Sequence, residues 1–529
     1  MRVDAAIDEV TLGVLWNRLV AVADEAAAAL FRASVSVIVG EVFDFSCAVT
    51  DRAGRSVVFP TKSMPLFNGS VEITTAALLE HIPLEALAEG DTLICNDPWI
   101  ASGHLPDVFL ASPIFVRGSV VGFAASIAHV TDIGGSLRRI GTQEVYEEGL
   151  RIPPCKFLVR GEPNTDVFSF IRYNVRVPDM VINDFYAQAG AHRIIQRRIA
   201  ETLEEFNLDG LDALAEAIFA RSEQTMRAAI RELPAGTCRA RALTDGYIDP
   251  VDIHVAVTVD DGTLTVDYTG SSDECLDGAI NSPYACTYSE TVAMLHTILL
   301  PEVPANHGCF APFRVVAPEG SIFNARPPRA VNIRTRAVFM ADPVIMAAMH
   351  AIAPDRVIAA PGQAGGYHAH GHVDGVPFIT FFMQSGGMGA SARGPGMGCL
   401  FFPGTMSTSP VEIIEQQSPL LIDRKRILRG SGGPGQHRGG DGQEIVLTLR
   451  PGYEGPVTVP MHPHMLEFPA PGLAGGGPGV VGKIFLNDHR VSKLELNQRG
   501  GALVMRGRDR LNIHTPGGGG YGAPGSPPL

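Results

Sequence analysis

The sequence predicts a mixed α/β (α+β) chain of several units, and three observations carry that expectation. Its 529 residues exceed what one compact core accommodates and point to two to four structural units. Helical and strand-like hydrophobic periodicities both occur, in separate stretches. Beyond residue 361 the chain turns rich in glycine and loses long helical patterns.

Residues 7–33 repeat apolar side chains at helical spacing, including Val10, Val14, Leu19, Val20 and Ala27, and predict one long amphipathic helix. Residues 41–60 switch to short strand-like runs, FDFSCAVTD and SVVF, before a helical stretch over 70–89 that ends at Gly90. In 91–130, LICNDPW leads to DVFLASPIFV and VVGFAASIAHV across Arg117-Gly118, the pattern of a hairpin. Residues 180–232 predict at least two charged helices broken near Asn207–Gly210, and Leu233-Pro234-Ala235-Gly236 reads as a boundary. Alternation returns over 238–270, and a further helix is expected around 340–353. The expected division is a metal-bearing α/β unit over 1–235, a central α/β unit over 236–429 and a Gly/Pro-rich β-type unit over 430–529, whose last residues read as a loosely ordered terminus.

Bulk properties exclude several classes. A net charge of −14, spread along the chain, argues against nucleic acid as the main partner. The N-terminal residues lack a secretory apolar core, no stretch reaches membrane-spanning length, and none of the eight cysteines is spaced as CxxC. The expectation is a cytoplasmic protein with reduced thiols, no membrane and no structural cysteine–zinc site.

The strongest chemical signal is GHLPD, holding His104 and Asp107, together with HVTDIGG from His129. With a turn at Arg117-Gly118, residues whose numbers sum to about 235 face each other, so Asp107 lies near His129 and His104 near Asp132. Two imidazoles and a carboxylate at the open end of one hairpin suit a divalent cation, with Zn²⁺, Mn²⁺ and Fe²⁺ unresolved. A lone HxxD is more often turn chemistry; the convergence raises the metal reading to an even footing. Asp97 and Asp132 are candidates to orient the imidazoles, though Asp97 in NDP also suits a turn. Asp44 is a strand-borne acid.

Other motifs read as structural. The alternating His368, His370 and His372 suit one strand face but more often mark an exposed glycine-rich loop. Gly430, Gly432 and Gly435 match GxGxxG without a following helix, and GPGVVGK is followed by Ile484 where a hydroxyl is required, so no ATP site is expected in this chain. Glu412 and Glu415 suit a helix start. Glu147 and Glu148 suit a loop and are lesser candidates for acid/base chemistry.

An ordered set of short motifs resembles the hydantoinase B/oxoprolinase family: DFSC from Asp44, NDP from Asn96, GHLPD, HVTDIGG, EGLRIPP from Glu148, DYTG from Asp267, NSP from Asn281, PANHG from Pro304, PEGS from Pro318, PVEIIE from Pro410, SGGPGQHRGG from Ser431 and GGGPG from Gly475. They run from near residue 40 to about 480. The resemblance implies the B-type subunit of a hetero-oligomer, whose A-type partner uses ATP-Mg to activate a small cyclic amide while the B-type subunit supplies the metal site for its hydrolysis. By motif position the metal ligands fall on His104, Asp107 and His129, with Asp44 the next. Two alternatives accompany this reading, a subunit of an ATP-dependent ketone carboxylase and a non-catalytic scaffold with a structural metal. The chain is shorter than the carboxylase subunits, which favours hydrolysis. One departure concerns the HxGS pattern of the family, where this chain carries Phe67-Asn68 before Gly69-Ser70.

Overall fold

The computed structural model describes residues 7–137, 139–363 and 365–525. Among them the elements are mixed, as the periodicities predict. The N-terminal sheet runs β1 (Phe45–Asp51), β2 (Ser56–Val58), β3 (Thr92–Cys95), β4 (Asp107–Val116), β5 (Ser119–His129), β6 (Cys155–Val159) and β7 (Glu162–Pro163). Its strand order is β2-β1-β5-β4-β3-β6-β7, and each adjacent pair is antiparallel.

Both faces of this sheet are buried, which period-two alternation makes legible. Phe45, Cys47 and Val49 of β1 with Ala124 and Ala128 of β5 join a core shared with the Glu9–Ala33 and Pro178–Glu205 helices. Phe109, Ala111, Phe123, Ala125 and Ile127 point the other way, into a second core with Phe67 and Leu78 of the Pro65–His81 helix. Beneath the hairpin, His192 is fully buried and bridges Ser112 at 2.9 Å and Ser126 at 2.8 Å, with burial lowering its pKa to about 3. It is a neutral core histidine.

The Glu9–Ala33 helix forms where expected, capped by Asp8, whose carboxylate accepts from Val10 and Thr11 N–H at 3.0 Å each. Of the apolar residues that define its periodicity, Leu19 and Ala27 are buried. Leu12, Leu15 and Leu19 face the sheet, while Val10 and Val14 remain 76% and 52% exposed. The leucine stripe wins because it buries more apolar area per position. The helix expected over 70–89 begins five residues earlier, at Pro65, because proline suits a first helical turn, and it ends at His81.

The central part supplies a four-stranded sheet, β8 (Gly236–Thr244), β9 (Val251–Asp260), β10 (Thr263–Asp267) and β11 (Phe313–Val316), in the order β11-β10-β9-β8. In β9, Val251, Ile253, Val255, Val257 and Val259 are buried on one face, against the side of the Thr335–Met349 helix. The C-terminal part holds two sheets. One has the order β13-β12-β16-β19, from β12 (Gly365–Val373), β13 (Val376–Gln384), β16 (Val457–Pro460) and β19 (Ala502–Met505). The other has the order β14-β15-β20-β17-β18, from β14 (Leu420–Ile427), β15 (Gln443–Leu449), β17 (Lys483–Leu486), β18 (His489–Arg490) and β20 (Leu511–His514).

Two expectations are corrected here. The last stretch is not loosely ordered through residue 521. Gly517, Gly518, Gly519 and Gly520 are buried, and Tyr521 pairs with His437 by two backbone hydrogen bonds of 2.9 and 3.0 Å. Glycine permits this because backbone packs directly on backbone; a Cβ on Gly518 would lie 2.2 Å from Met388 O. Residues 526–529 of that expectation lie outside the described residues. The His368–His372 run is likewise no exposed loop but part of β12, with His368 buried.

Among the described residues no helix is long and apolar enough to cross a membrane, and all eight cysteines are free thiols.

A candidate metal centre at the open end of the hairpin

The turn between β4 and β5 is two residues long. Arg117 and Gly118 take φ values of +51° and +80°, the twist-matched turn that a tight hairpin favours. From the turn, Phe115 faces Val120, but Ile114 faces Gly122, so β5 carries one extra residue. The bulge sits where a side chain has no room: a Cβ on Gly122 would lie 2.3 Å from Thr50 O. Its consequence appears at the far end, where Asp107 faces His129. Without the extra residue Asp107 would face Ala128, and His129 would point to the opposite side of the sheet.

The same alternation puts His129 on the face of Phe123, Ala125 and Ile127, and Asp107 on that of Phe109 and Ala111. Asp44 precedes Phe45, which faces the other core, so its carboxylate joins them. His104 arrives on the turn before β4, where Asp107 N–H donates to His104 O at 3.3 Å. His104, Asp107 and His129 are 2%, 1% and 2% exposed, and their donor atoms all lie within 4.8 Å of one another. Asp107 Oδ1 is 2.7 Å from His104 Nε2 and 2.8 Å from His129 Nδ1. Asp44 Oδ2 stands 3.9 Å from His129 Nδ1.

The hydrogen inventory shows that a cation fits. His104 Nδ1 lies 3.1 Å from Asn332 O, a pure acceptor, so Nδ1 carries the hydrogen. A neutral ring then turns its Nε2 lone pair toward a carboxylate oxygen 2.7 Å away. Protonation does not relieve that contact, because burial and the nearby Arg334 charge lower His104 to about 3. His129 Nε2 is buried with no hydrogen-bond partner among the described residues. A divalent cation that accepts these lone pairs resolves both features, and two imidazoles with one or two carboxylates suit Zn²⁺, Mn²⁺ or Fe²⁺.

Sequence reasoning misses Arg334. It is fully buried, donates from Nε to Ser102 O at 2.6 Å and from Nη2 to Asp107 Oδ2, which also accepts from Ser102 Oγ at 2.9 Å. Burial opposes ionisation of Asp107, yet the Arg334 guanidinium and the hydrogen bond from His129 hold its carboxyl well below the usual range. The only signal is an arginine in VNIRTR just ahead of an apolar helix, 227 positions from its partner.

Asp97 and Asp132 do not orient the imidazoles. Asp97 accepts from Arg151 and from Trp99 N–H, and Asp132 from Arg176 and from Gly134 N–H. Both carboxylates are drawn to arginines, which a sequence pattern of nearby acids does not reveal. The group that fixes His104 is instead Asn332 O. Asn332 is held in turn by Glu148, whose Oε1 accepts from Asn332 N–H at 2.8 Å and Val331 N–H at 2.9 Å. Glu148 is wholly buried, and desolvation raises it to about 8. Glu412 and Glu415 lie on the short Val411–Gln417 helix, away from this cluster.

The cluster floors a small cleft of about 50 Å³. Phe67, the position of the departure from the family pattern, lines it, and His368 stands beside it with its ring 6.2 Å from that of His129.

A family model described as hydantoinase B/oxoprolinase matches residues 8–524. The chain belongs to the hydantoinase B/oxoprolinase family. It is 29% identical over 540 residues to the B-type subunit of a putative D-/L-hydantoinase from Pseudomonas sp. (strain NS671), covering 98% of this chain and 90% of that one. Its fold matches the solved ATP-dependent caprolactamase from Pseudomonas jessenii with a TM-score of 0.88 at 24% identity, over 98% of this chain and 92% of the other. It also matches a nucleotide-free acetone carboxylase with a TM-score of 0.85 at 19% identity, over 97% and 76%. This chain therefore shares its architecture with a caprolactamase and with an acetone carboxylase, and the fold alone does not select the reaction.

Proposed function

We propose that this chain is the B-type subunit of an ATP-dependent hydrolase that opens cyclic amides, acting in the cytoplasm with an A-type, ATP-Mg-using partner. The observation that carries the reading is the buried His104–Asp107–His129 cluster at the floor of a cleft, in a chain similar along nearly its whole length to a hydantoinase component. The partner would activate the ring amide by phosphoryl transfer from ATP, since neither glycine-rich motif here has the context of a phosphate site.

His104, Asp107 and His129 would hold a divalent cation, with Asp44 the nearest further carboxylate. When bound, the cation would lower the pKa of a water or polarise the carbonyl. The protein's own groups do the rest. Asn332 O fixes the His104 tautomer so that Nε2 faces the cluster. Arg334 balances the Asp107 charge in a buried setting, so one carboxylate can stay ionised there. The surrounding apolar walls limit access of bulk water.

The test is reconstitution with the A-type partner. Hydantoins or lactams should open at the expense of ATP, with ADP released in step. Turnover of a ketone with bicarbonate, without ring hydrolysis, would overturn the reading in favour of the carboxylase.

A further inference from the structure

The cleft above the cluster is too small for the ring it would have to take. Its volume of about 50 Å³ holds a few water molecules, whereas sites for small organic ligands run to roughly 300 Å³ and more. A second cavity, of about 350 Å³, lies behind its wall. The two share a partition one chain thick. Met64, Leu66 and Phe67 line the cleft, as do Phe339, Phe381 and Phe401. Ser63, Pro65 and Asn68, interleaved with the first three, line the larger cavity. The facing segment divides in the same way, with Met406 on the cluster side and Thr405 on the other.

The two leaves of this partition are held unequally. Residues 63–68 lead into the Pro65–His81 helix, which is fastened to the Tyr284–Leu299 helix. Ser289 Oγ donates to Leu66 O and accepts from Ser70 N–H at 3.0 Å. A Cβ on Gly69 would lie 2.8 Å from Ser289 Cα, so the helices touch there. Residues 400–408 belong to no helix or strand. Among the described residues they make two hydrogen bonds, Thr405 Oγ1 to Ser63 O at 2.9 Å and Ser407 N–H to Val42 O at 2.8 Å. So few ties mark the leaf that opens at least cost.

The larger cavity is equipped for an amide. Asn68 is 8% exposed; its Oδ1 accepts from Ser63 Oγ at 2.9 Å, and its Nδ2 donates to no group among the described residues. His296 donates from Nε2 to Val303 O at 3.0 Å, and burial lowers its pKa to about 4, so the ring is neutral and Nδ1 is an acceptor. One donor and one acceptor match the C=O and N–H of a ring amide.

We propose that the 350 Å³ cavity is the subsite that first takes up the cyclic amide, with Asn68 Nδ2 on its carbonyl, and that the 400–408 segment swings aside to pass the ring to the cluster. This rests on the cyclic-amide reading above and gives that ring its route. It also assigns a consequence to the departure at Phe67-Asn68. Adjacent positions of one helical turn, about 100° apart, present Phe67 to the cluster and Asn68 to the entry side.

Binding and metal release test this without turnover. The metal-free full chain is titrated with hydantoin by ligand-observed NMR. Hydantoin should bind without metal, because its subsite lies apart from the ligating side chains. Asn68→Leu removes the donor at similar size and should weaken binding at least severalfold. Thr297→Trp, at an exposed position lining the cavity, should weaken it at least as much with little effect on folding. Binding that requires metal, or that ignores either variant, overturns the subsite. Release of Zn²⁺ from the loaded chain to 1,10-phenanthroline reports on the door. Thr405→Val keeps the shape and removes the bond to Ser63 O, so release should speed up severalfold. Thr297→Trp should slow it, since the chelator uses the same entry. Unchanged release in either variant, or faster release in both, overturns the door. Should hydantoin binding follow the variants while the reconstituted pair with ATP opens no ring, the hydrolase reading fails and the subsite stands.

Discussion

Four of the five ionic groups on the floor of the cleft come from residues 44–129, whereas the wall facing them is drawn from residues 64–67, 339, 381–383 and 401–406. The floor is a product of local rules: one two-residue turn, one bulge and strand alternation bring Asp44, Asp107 and His129 to a single face. The wall is a product of tertiary packing, with no contact set by sequence proximity. One region is rigid in register and generic in chemistry. The other is assembled from segments distant in sequence.

Removing the floor gives the largest expected effect. His129→Ala should abolish stoichiometric metal and cut activity of the reconstituted pair by at least about 100-fold, the upper range for substitutions even one shell further out. The hairpin pairing around it is backbone-borne, so the thermal midpoint of the metal-free chain should barely move. A large fall in that midpoint would instead support a structural metal and break the comparison. Next comes Arg334→Leu. It leaves the Asp107 carboxylate buried without its counter-charge, a loss of about 3–5 kcal/mol in metal-free protein. Added Zn²⁺ should then recover more of the thermal midpoint in this variant than in the wild type, because the cation replaces the missing positive charge. Equal recovery would show that Arg334 does not neutralise Asp107.

The legibility of the site follows the same division. A hairpin turn and period-two alternation bring the segments carrying His104, Asp107 and His129 to one end of the hairpin, because strand register is set by nearest neighbours, but they do not by themselves put Asp107 and His129 on one face. The bulge at Val121 leaves no mark in the alternation, and it decides whether Asp107 and His129 share a face. Arg334 and Asn332 escape notice since their partners lie more than two hundred residues away. Proximity in sequence assigns Asp97 and Asp132 to the imidazoles, while Arg151 and Arg176 hold them instead. The Glu9–Ala33 helix is readable in extent, but its apolar pattern does not separate the buried Leu19 and Ala27 from the exposed Val10 and Val14, because several stripes of its surface are apolar. The order of the glycine-rich tail is illegible, as glycine signals looseness and close backbone packing alike.

Glu148 connects the local floor to the distant Asn332 segment, and its titration tests that join. Burial raises its carboxyl from an ordinary 4.5 to about 8. Between those values the folded chain holds a proton that the unfolded chain has released. Stability from this group is therefore complete below about pH 4.5 and is lost as pH rises through about 8. The slope should be on the order of 1 kcal/mol per pH unit within that window. Glu148→Gln keeps an acceptor for the Val331 and Asn332 N–H groups but does not titrate, so its thermal midpoint should fall less between pH 5 and 8. Parallel pH profiles for the two proteins would mean that Glu148 is ionised in the fold.

The smallest effect concerns the glycine-rich tail, where the backbone takes the place that side chains hold in the aromatic wall. A Cβ at Gly518 would come within 2.2 Å of Met388 O and 2.6 Å of Gly387 O. Both obstacles are backbone and cannot rotate away. Gly518→Ala should therefore cost about 1–3 kcal/mol, the range for overpacking a close-fitted interior. Gly394 offers the control, since a Cβ there meets nothing within 4 Å. Gly394→Ala should stay within about 0.5 kcal/mol of wild type. Denaturant or thermal unfolding of the two variants side by side distinguishes steric packing from a general intolerance of side chains at the glycines of the C-terminal half. Should both be neutral, the tail is not held by close backbone contact, and the contrast with the side-chain-built wall disappears.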